Sequence, residues 1–214
     1  MNYFELQQKA REYPLFKTED VMKWFPESKR GNTANQLSAW VKKDRLERIT
    51  RGQYLMPGNT GCDLFVLANM LYGPSYISLE SALNAYGMIP DIPLSTVSVT
   101  MPTTKVFRTR RHGVFYYHHI RPELFHSFRI VRINSPPFEH YEYRIATPEK
   151  ALFDYFYFRS GGVKNPQGFI HELRLTLSEA FQVRAMLTWG ALVSQNRRAF
   201  HAVLDAFSTM HHDK

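Results

Sequence analysis

Residues 29 to 56 combine basic side chains with small polar ones, a mixture suited to binding nucleic acid. Lysine and arginine side chains pair with phosphates, and asparagine, glutamine and serine reach base edges in the major groove. The seven bases are Lys29, Arg30, Lys42, Lys43, Arg45, Arg48 and Arg51, and the two acids are Asp44 and Glu47. The segment predicts a DNA-facing surface. Two alternatives stay open: a small helical bundle with a solvated basic face, and a similar module used for protein contacts.

A helix that begins near Thr33 is expected to position these groups. Leu37, Trp40 and Val41 follow at spacings of three and four, which places them on one buried face. Asn35, Ala39 and Lys42 then project from the opposite face. Two short strand-like runs follow, Leu46 to Ile49 and Gln53 to Met56, joined by a tight turn at Gly52. A helix, a basic elbow and a ribbon in this order predict the second half of a winged helix-turn-helix.

Two helices are predicted before this stretch. The first covers residues 2 to 11, with Asn2 and Glu5 in a capping-box pattern. The second is expected to be capped by Thr18 and to end before Pro26. The run from Pro57 to Gly61 is typical of a linker. We therefore expect a winged helix-turn-helix DNA-binding domain over residues 1–57 and a second domain over residues 62–214.

The second region has the pattern of a mixed domain. Helices are expected from Cys62 to Tyr72, from Ser78 to Tyr86 and from Thr147 to Arg159, the last with a cap, a proline and an acid at its start. Residues 168–208 are expected to be mostly helical, and residues 210–214 to be a loose tail. The strand-like runs between these helices are 75–77, 96–101, 105–108, 113–120, 128–133 and 142–145. The predicted fold class is α+β: a winged helix-turn-helix, then a larger mixed α/β domain with a small, mostly antiparallel sheet and a helical C-terminus.

A second basic stretch lies among these strands. Its candidate surface residues are Lys105, Arg108, Arg110 and Arg111, and aromatic side chains alternate with bases along the same runs. The stretch favours either a second nucleic-acid surface or a patch for an acidic protein. Simple strand alternation, with aromatic side chains in the core and arginines in water, explains the pattern equally well.

Composition narrows the function classes. The formal net charge is +8 and the pI is near 9.6, which favours a polyanionic partner. Cys62 is the single cysteine, so an intramolecular disulfide and a cysteine zinc site are excluded. The first residues lack the apolar core of a signal peptide, and no apolar run is long enough to span a membrane. We expect a cytoplasmic protein with no membrane partner.

Nothing in the chain requires catalysis, and no enzyme activity, cofactor or metal is expected. His118 and His119 are adjacent on a predicted strand, so their side chains point to opposite faces. A nuclease-like pattern is degenerate, since Pro90-Asp91 is followed by Thr103-Thr104-Lys105 and lacks a second acid for Mg²⁺. Phosphate-binding glycine loops and a serine nucleophile elbow are absent. A DNA-processing enzyme with a degenerate nuclease-like domain remains the alternative from another class.

Several segments together resemble the AbiEi-type antitoxin and regulator family of type IV toxin–antitoxin systems. They are Ile49 to Tyr54, Tyr76 to Leu83 with Tyr86 to Pro90, Tyr117 to Ile120, and Ala146 to Asp154. The most specific are Ser-Leu-Glu-Ser-Ala-Leu and Ala-Thr-Pro-Glu-Lys-Ala-Leu. The resemblance covers roughly residues 10 to 160.

The resemblance implies a non-enzymatic autorepressor in abortive infection. Its winged helix would bind inverted repeats in double-stranded promoter DNA, and its larger domain would oppose a nucleotidyltransferase-like toxin. A stand-alone regulator without a toxin is also possible in this family. By position in the motif, the DNA-binding role passes to Thr33, Asn35, Gln36, Ser38, Lys42, Lys43, Arg45, Arg48 and Arg51.

Overall fold

The computed structural model describes residues 1–57, 63–134 and 136–211, and within these ranges the chain is mixed α and β with two sheets. The helices are α1 (Tyr3–Ala10), α2 (Thr18–Trp24), α3 (Arg30–Lys42), α4 (Leu64–Leu71), α5 (Leu79–Ala85), α6 (Pro148–Arg159), α7 (Pro166–Glu172), α8 (Val183–Gly190) and α9 (Arg198–Met210), with a 3₁₀ turn at Pro122–Leu124. The strands are β1 (Phe16–Lys17), β2 (Glu47–Thr50), β3 (Gln53–Leu55), β4 (Ser75–Ile77), β5 (Ser95–Thr100), β6 (Lys105–Arg108), β7 (Val114–His119), β8 (Phe128–Arg132) and β9 (Glu142–Ala146).

The first region runs α1, β1, α2, α3, β2, β3, and its three strands form an antiparallel sheet in the order β1-β3-β2. Its core is small and is built from α1, α2, α3, β1, β3 and the residues next to them. That core contains Leu6, Ala10, Phe16, Val21, Phe25, Leu37, Leu46, Tyr54 and Met56. Leu15 and Leu55 belong instead to the larger core of the second region, so the two regions pack on one another.

Helix starts in this region match the sequence patterns in one case of three. The Asn2 side chain accepts a hydrogen bond from the Glu5 backbone N–H at 2.9 Å, and Glu5 accepts one from the Asn2 N–H at 2.7 Å, as predicted. Thr18, however, is the first residue of α2 rather than its cap. The Asp20 carboxylate accepts a hydrogen bond from the Lys17 backbone N–H at 2.8 Å. A carboxylate inside the first turn therefore pairs with the N–H of the residue that precedes the helix.

The third helix begins one turn earlier than the sequence predicts. Arg30 starts α3, and Thr33 is fully buried inside it, where its hydroxyl donates to the Lys29 carbonyl at 3.3 Å. Thr33 lies four residues before Leu37, so both point into the same core. Burial of that face outweighs the preference of threonine for a cap position.

The second region is built on a six-stranded mixed sheet in the order β6-β7-β5-β4-β9-β8. Three neighbouring pairs are antiparallel, and two, β5–β7 and β4–β9, are parallel. The prediction of a mostly antiparallel sheet is therefore confirmed, since three of the five strand pairs are antiparallel. The predicted strand positions agree with the observed ones to within a residue or two.

Helices cover both faces of this sheet. Tyr117 donates its hydroxyl to the Ala68 carbonyl at 2.6 Å, which places α4 on one face. Tyr76 donates its hydroxyl to Asp154 at 3.0 Å, which places α6 on the other. The strand register agrees with this placement. Tyr76 pairs with Val99, and Val99 pairs with His118, so Tyr76 and His118 point to one face of the sheet and the neighbouring Tyr117 points to the other.

Helix α5 packs on β5 beside α6, and the C-terminal helices α7, α8 and α9 pack outside α6. Phe153 and Phe156 of α6 meet Phe200 and Phe207 of α9 edge to face, with ring centroids 5.4 Å apart in both pairs. Residues 168–208 are mostly helical, as predicted. Helix α9 continues to Met210, so the tail predicted from that residue is wrong at its start, and residues 212–214 lie outside the described chain.

The predicted linker falls largely on residues 58–62, which lie outside the described ranges. Cys62, predicted to start a helix, is among them. Helix α4 begins at Leu64, after Asp63, whose carboxylate accepts from the Phe65 N–H at 2.7 Å. In the described ranges no helix has the length and apolar character needed to cross a membrane.

Candidate nucleic-acid interface

Helix α3 presents a polar face to solvent. Asn35, Ala39 and Lys42 are exposed, and Leu37 on the opposite side is completely buried, as the helical projection predicts. Asn35 and Lys42 are two turns apart and therefore lie on one line of the helix, about 10 Å apart along its axis. An amide and an ammonium group in this arrangement offer base-edge and phosphate hydrogen bonds to the same groove.

The hairpin of β2 and β3 forms one wall of a groove beside this face. The groove has a volume of about 460 Å³. Its charged lining consists of three arginines, Arg30, Arg48 and Arg51, and one acid, Glu19, and α3 adds Ala34 and Ser38. Cations from the start of α3, from β2 and from the turn after it therefore meet over one concave surface.

Local backbone bonds fix the tip of this hairpin. Gly52 has φ +81°, in the left-handed region that glycine adopts at little cost. Its carbonyl accepts a hydrogen bond from the Thr18 N–H at 3.0 Å, and the Thr50 hydroxyl donates to Gln53 at 2.9 Å. Arg51 is consequently held beside the start of α2 instead of on a free loop.

The structure brings together some of the predicted DNA-binding residues and separates others. Asn35, Ser38, Lys42, Arg48 and Arg51 lie on the α3 face or in the groove, and Lys43 is exposed at the end of the helix. Thr33 lies apart from them, because its side chain is buried in the core and does not reach this surface.

Two further predicted residues face α1 instead of the groove. Gln36 donates its amide to the Met1 carbonyl at 3.3 Å, and the Arg45 guanidinium lies 5.0 Å from the ring centre of Tyr3. Arg30 belongs in the groove but was missing from the predicted set. The predicted helix start at Thr33 left Arg30 in a turn. A predicted helix that began one turn earlier would have included Arg30 in the candidate surface.

The second basic stretch divides between two environments. Lys105 and Arg108 are exposed on β6, an edge strand, and the Lys105 ammonium lies 5.6 Å from the ring centre of Tyr72. Phe107, Phe115 and Tyr117 are buried, which is the arrangement expected from strand alternation alone. Arg110 and Arg111 lie in the turn after β6 and contact the first region.

The contacts of that turn are specific. The Arg110 guanidinium pairs with Asp44 at 2.5 Å, and its backbone N–H donates to Glu47 at 2.6 Å. The Arg111 guanidinium donates to the Pro57 carbonyl at 3.3 Å. These two arginines therefore join the two regions and do not form a separate surface with Lys105 and Arg108.

A different polar cluster lies deep in the second region. Lys150 and Asp154 form an ion pair on α6 with no solvent exposure, and Tyr76 and Ser78 donate to the same Asp154 oxygen at 3.0 and 2.7 Å. Ser78 occupies the N-cap position of α5, as predicted, but its hydroxyl donates to Asp154 and makes no capping hydrogen bond. Burial raises the pKa of Tyr76, helped by Asp154, and burial lowers the pKa of Lys150 against the opposing effect of Asp154. Closed to solvent, the cluster links β4, α5 and α6.

The adjacent histidines occupy different surroundings, as strand geometry requires. The His118 ring lies 4.9 Å from the Phe158 ring, and the His119 Nδ1 approaches the Met101 and Pro102 carbonyls at 2.8 Å. Burial lowers the pKa of His118, and Arg159 lowers it further. Within the described ranges, no group of three or more histidine, cysteine or acidic side chains is placed to hold a metal ion.

Asp91, the acid of the degenerate nuclease pattern, is engaged elsewhere. The Arg174 guanidinium donates to both of its oxygens at 2.9 and 3.0 Å. Arg174 follows α7, so the pair connects the loop before β5 to the C-terminal helices. A metal ion at Asp91 would have to compete with this guanidinium.

Comparison with known proteins does not assign the chain to a family. No protein-family model matches the chain, and no curated protein matches it. Functional assignment therefore depends on the arrangement of the residues themselves.

Proposed function

We propose that the protein is a transcriptional autorepressor whose first region is a winged helix-turn-helix that binds double-stranded DNA. The observation that carries this proposal is the exposed polar face of α3 beside a groove lined by Arg30, Arg48 and Arg51. The element order and the β1-β3-β2 sheet support it, since α2 and α3 would form the helix-turn-helix and the β2–β3 hairpin the wing.

In the proposed complex, α3 enters the major groove and the hairpin lies against the backbone. Asn35 hydrogen-bonds a base edge, for which the bidentate pairing of asparagine with adenine is the favoured geometry. Lys42, Arg48 and Arg51 bind phosphates and displace counterions, so affinity falls as salt rises. The net charge of +8 assists this association at long range. The protein would act in the cytoplasm on inverted repeats in its own promoter.

The test is binding of the purified full-length protein to duplex DNA from upstream of its own coding sequence, against a shuffled duplex. Fluorescence anisotropy gives both affinities. Lys42→Ala and Arg51→Ala are expected to weaken binding to both duplexes. Asn35→Ala is expected to reduce the preference for the promoter by about 1–3 kcal/mol.

A matched control is Arg184→Ala, which removes an exposed arginine from α8, far along the chain from the groove. This variant should bind like the wild type. Unchanged promoter affinity in all three interface variants would rule out the placement of α3 on DNA. Failure of the wild-type protein to bind either duplex would rule out the DNA-binding proposal.

An antitoxin role for the second region is supported by an exposed apolar loop. Ile92 is 82% exposed and Leu94 is 100% exposed, between α5 and β5. Cavities of about 220 and 350 Å³ flank the loop, and Leu94 lines both. Large apolar side chains exposed in this way are typical of a protein-binding surface. The proposed partner is a nucleotidyltransferase-like toxin.

Growth rescue tests this role. Co-expression of the protein with a nucleotidyltransferase-like neighbour is expected to restore growth, and Leu94→Asp to abolish the rescue while promoter binding persists. Rescue by Leu94→Asp would contradict the surface assignment. Absence of such a neighbour would favour a stand-alone regulator.

The enzymatic alternative has its own test. Mg²⁺-dependent cleavage of plasmid DNA that Asp91→Ala abolishes would favour a DNA-processing enzyme. Under the proposal made here, the purified protein leaves plasmid DNA intact with Mg²⁺ present.

A further inference from the structure

Arg110 contacts both acidic residues of the segment that carries the proposed interface. Residues 29 to 56 contain only Asp44 and Glu47 as acids. Asp44 pairs with the Arg110 guanidinium at 2.5 Å, and Glu47 accepts from the Arg110 backbone N–H at 2.6 Å. One residue of the second region therefore engages both negative charges of this segment.

These acids lie close to the proposed DNA-facing groups. Asp44 comes two residues after Lys42, at the end of α3, in a left-handed conformation with φ +57°. Glu47 is the first residue of β2, one position before Arg48. Two residues span at most about 7 Å, which is within the Debye length of about 8 Å at physiological salt. An unpaired carboxylate here would repel phosphates that Lys42 and Arg48 attract.

We infer that Arg110 is a positioning residue of the DNA interface: it offsets the charge of Asp44 and holds the β6–β7 turn against the end of α3. The inference rests on the proposed DNA-binding function. Arg110 acts through the acids and does not itself bind phosphate. The Arg111 bond to the Pro57 carbonyl is a second contact of the same turn, so the second region supports the interface at two adjacent positions.

Solvent exposure limits what this pair contributes to folding. The Arg110 and Asp44 side chains are 74% and 65% exposed, and exposed ion pairs contribute little to stability. Arg110→Ala is therefore expected to fold normally. It also keeps the backbone N–H that Glu47 accepts, so the substitution tests the charge on Asp44 alone.

A double-mutant cycle on the full-length protein tests the inference. Promoter affinity and its salt dependence are measured for the wild type, Arg110→Ala, Asp44→Asn and the double variant. Arg110→Ala is expected to weaken promoter binding about three- to fivefold, because the Asp44 carboxylate, left without its partner, repels nearby phosphates. In the Asp44→Asn background the same substitution is expected to have almost no effect.

The salt slope separates this role from a direct phosphate contact. In the Asp44→Asn background, Arg110→Ala leaves no carboxylate unpaired and should leave the slope of log K against log salt unchanged, whereas loss of a direct phosphate contact would lower the slope in both backgrounds. Arg108→Ala, which removes an exposed arginine from the same hairpin, controls for the loss of net charge. Its effect should be smaller than that of Arg110→Ala and independent of Asp44.

Each other outcome has a distinct meaning. Equal losses in both backgrounds, with a slope reduced by about one, would show a direct phosphate contact and overturn the inference. Unchanged affinity in Arg110→Ala would also overturn it. If the wild type binds no DNA, the proposed function fails before the cycle begins, which distinguishes the two failures.

Discussion

The two regions of the molecule place their polar side chains in opposite environments. In the first region, Asn35, Lys42 and Arg51 are exposed on a helix and a hairpin above a small core. In the second, Lys150 and Asp154 are completely buried, and every contact described for them is made inside the protein. One arrangement leaves hydrogen-bonding groups for a ligand, and the other uses them to hold helices and strands together.

The same difference holds between the two most specific segments of the resemblance and the residues proposed to bind DNA. The two most specific segments of the resemblance, Ser78–Leu83 and Ala146–Leu152, lie on neighbouring elements, since α5 packs against α6. Ser78 donates to Asp154, and beside them Arg159 pairs with Glu80 at 2.7 Å. Their pattern is explained by the contacts that they make in the fold, while Asn35, Lys42 and Arg51, which are proposed to act on DNA, are exposed at the surface of the first region.

The largest effect is expected from Asp154→Ala. Removing this carboxylate leaves the Lys150 ammonium buried without its counterion and Tyr76 and Ser78 without their acceptor. Loss of one partner of a buried ion pair typically destabilises a protein by about 3–5 kcal/mol. Urea unfolding followed by circular dichroism measures the change.

The double variant Lys150→Met/Asp154→Leu sharpens that test, because apolar replacement of both partners leaves no charge unpaired. It should be more stable than Asp154→Ala. A stability loss below about 1 kcal/mol in Asp154→Ala would contradict a structural role for the cluster.

A smaller effect is expected from Gly52→Ala at the hairpin tip. A Cβ at this position would lie 3.5 Å from the Thr18 hydroxyl, so space is sufficient, but φ +81° strains any L-residue. The expected loss is about 1 kcal/mol of unfolding free energy, accompanied by weaker DNA binding because Arg51 moves. Gly161→Ala, where φ is not positive and a Cβ meets nothing, serves as the control. Equal stability of the two variants would show that the turn tolerates other conformations.

A pH effect is expected in the second region. Burial, with Arg159, holds the pKa of His118 below its ordinary value of 6.5. As the pH falls below about 6.5, the unfolded chain binds protons that folded His118 does not, so stability is lost through the window between 6.5 and the folded pKa. His118→Gln should flatten the fall in unfolding free energy between pH 7 and 5. An identical pH profile in the variant would show that His118 titrates alike in both states.

The smallest effect is expected from Thr33→Val. Thr33 is buried in α3, and its hydroxyl bonds only the Lys29 carbonyl among the hydrogen bonds described. Promoter affinity should stay unchanged, and the stability change should remain within about 1 kcal/mol. Ser38→Ala, five residues further along α3 and at the groove, should weaken DNA binding instead. A drop in affinity for Thr33→Val equal to that for Ser38→Ala would place the binding face on the wrong side of α3.

Local sequence patterns predicted most of the helices and strands. The features that these patterns did not predict depend on contacts between residues far apart in the chain. The caps at Asn2 and Thr147 depend on neighbours three residues away, and both are as predicted. Ser78 has an equally good cap position, but its hydroxyl bonds an aspartate 76 residues later. The early start of α3 reflects burial of Thr33 in a tertiary core, which no local rule contains.

The candidate interface shows the same limit. Helical spacing identified Asn35 and Lys42 on the exposed face, since periodicity fixes which residues share a side. It could not show that Arg30 joins Arg48 and Arg51 in one groove, because that depends on where the hairpin packs. The contact of Arg110 with Asp44 spans 66 residues and leaves no local trace.

The measurement that tests the central claim most directly is the salt dependence of DNA binding by the full-length protein and by the triple variant Arg30→Ala/Arg48→Ala/Arg51→Ala. If these arginines bind phosphates, the slope of log K against log salt should shrink by about 2.7, or 0.9 for each lost contact, while the unfolding free energy stays nearly constant. An unchanged slope with intact folding would show that the groove does not face DNA, and would contradict the division of roles between the two regions.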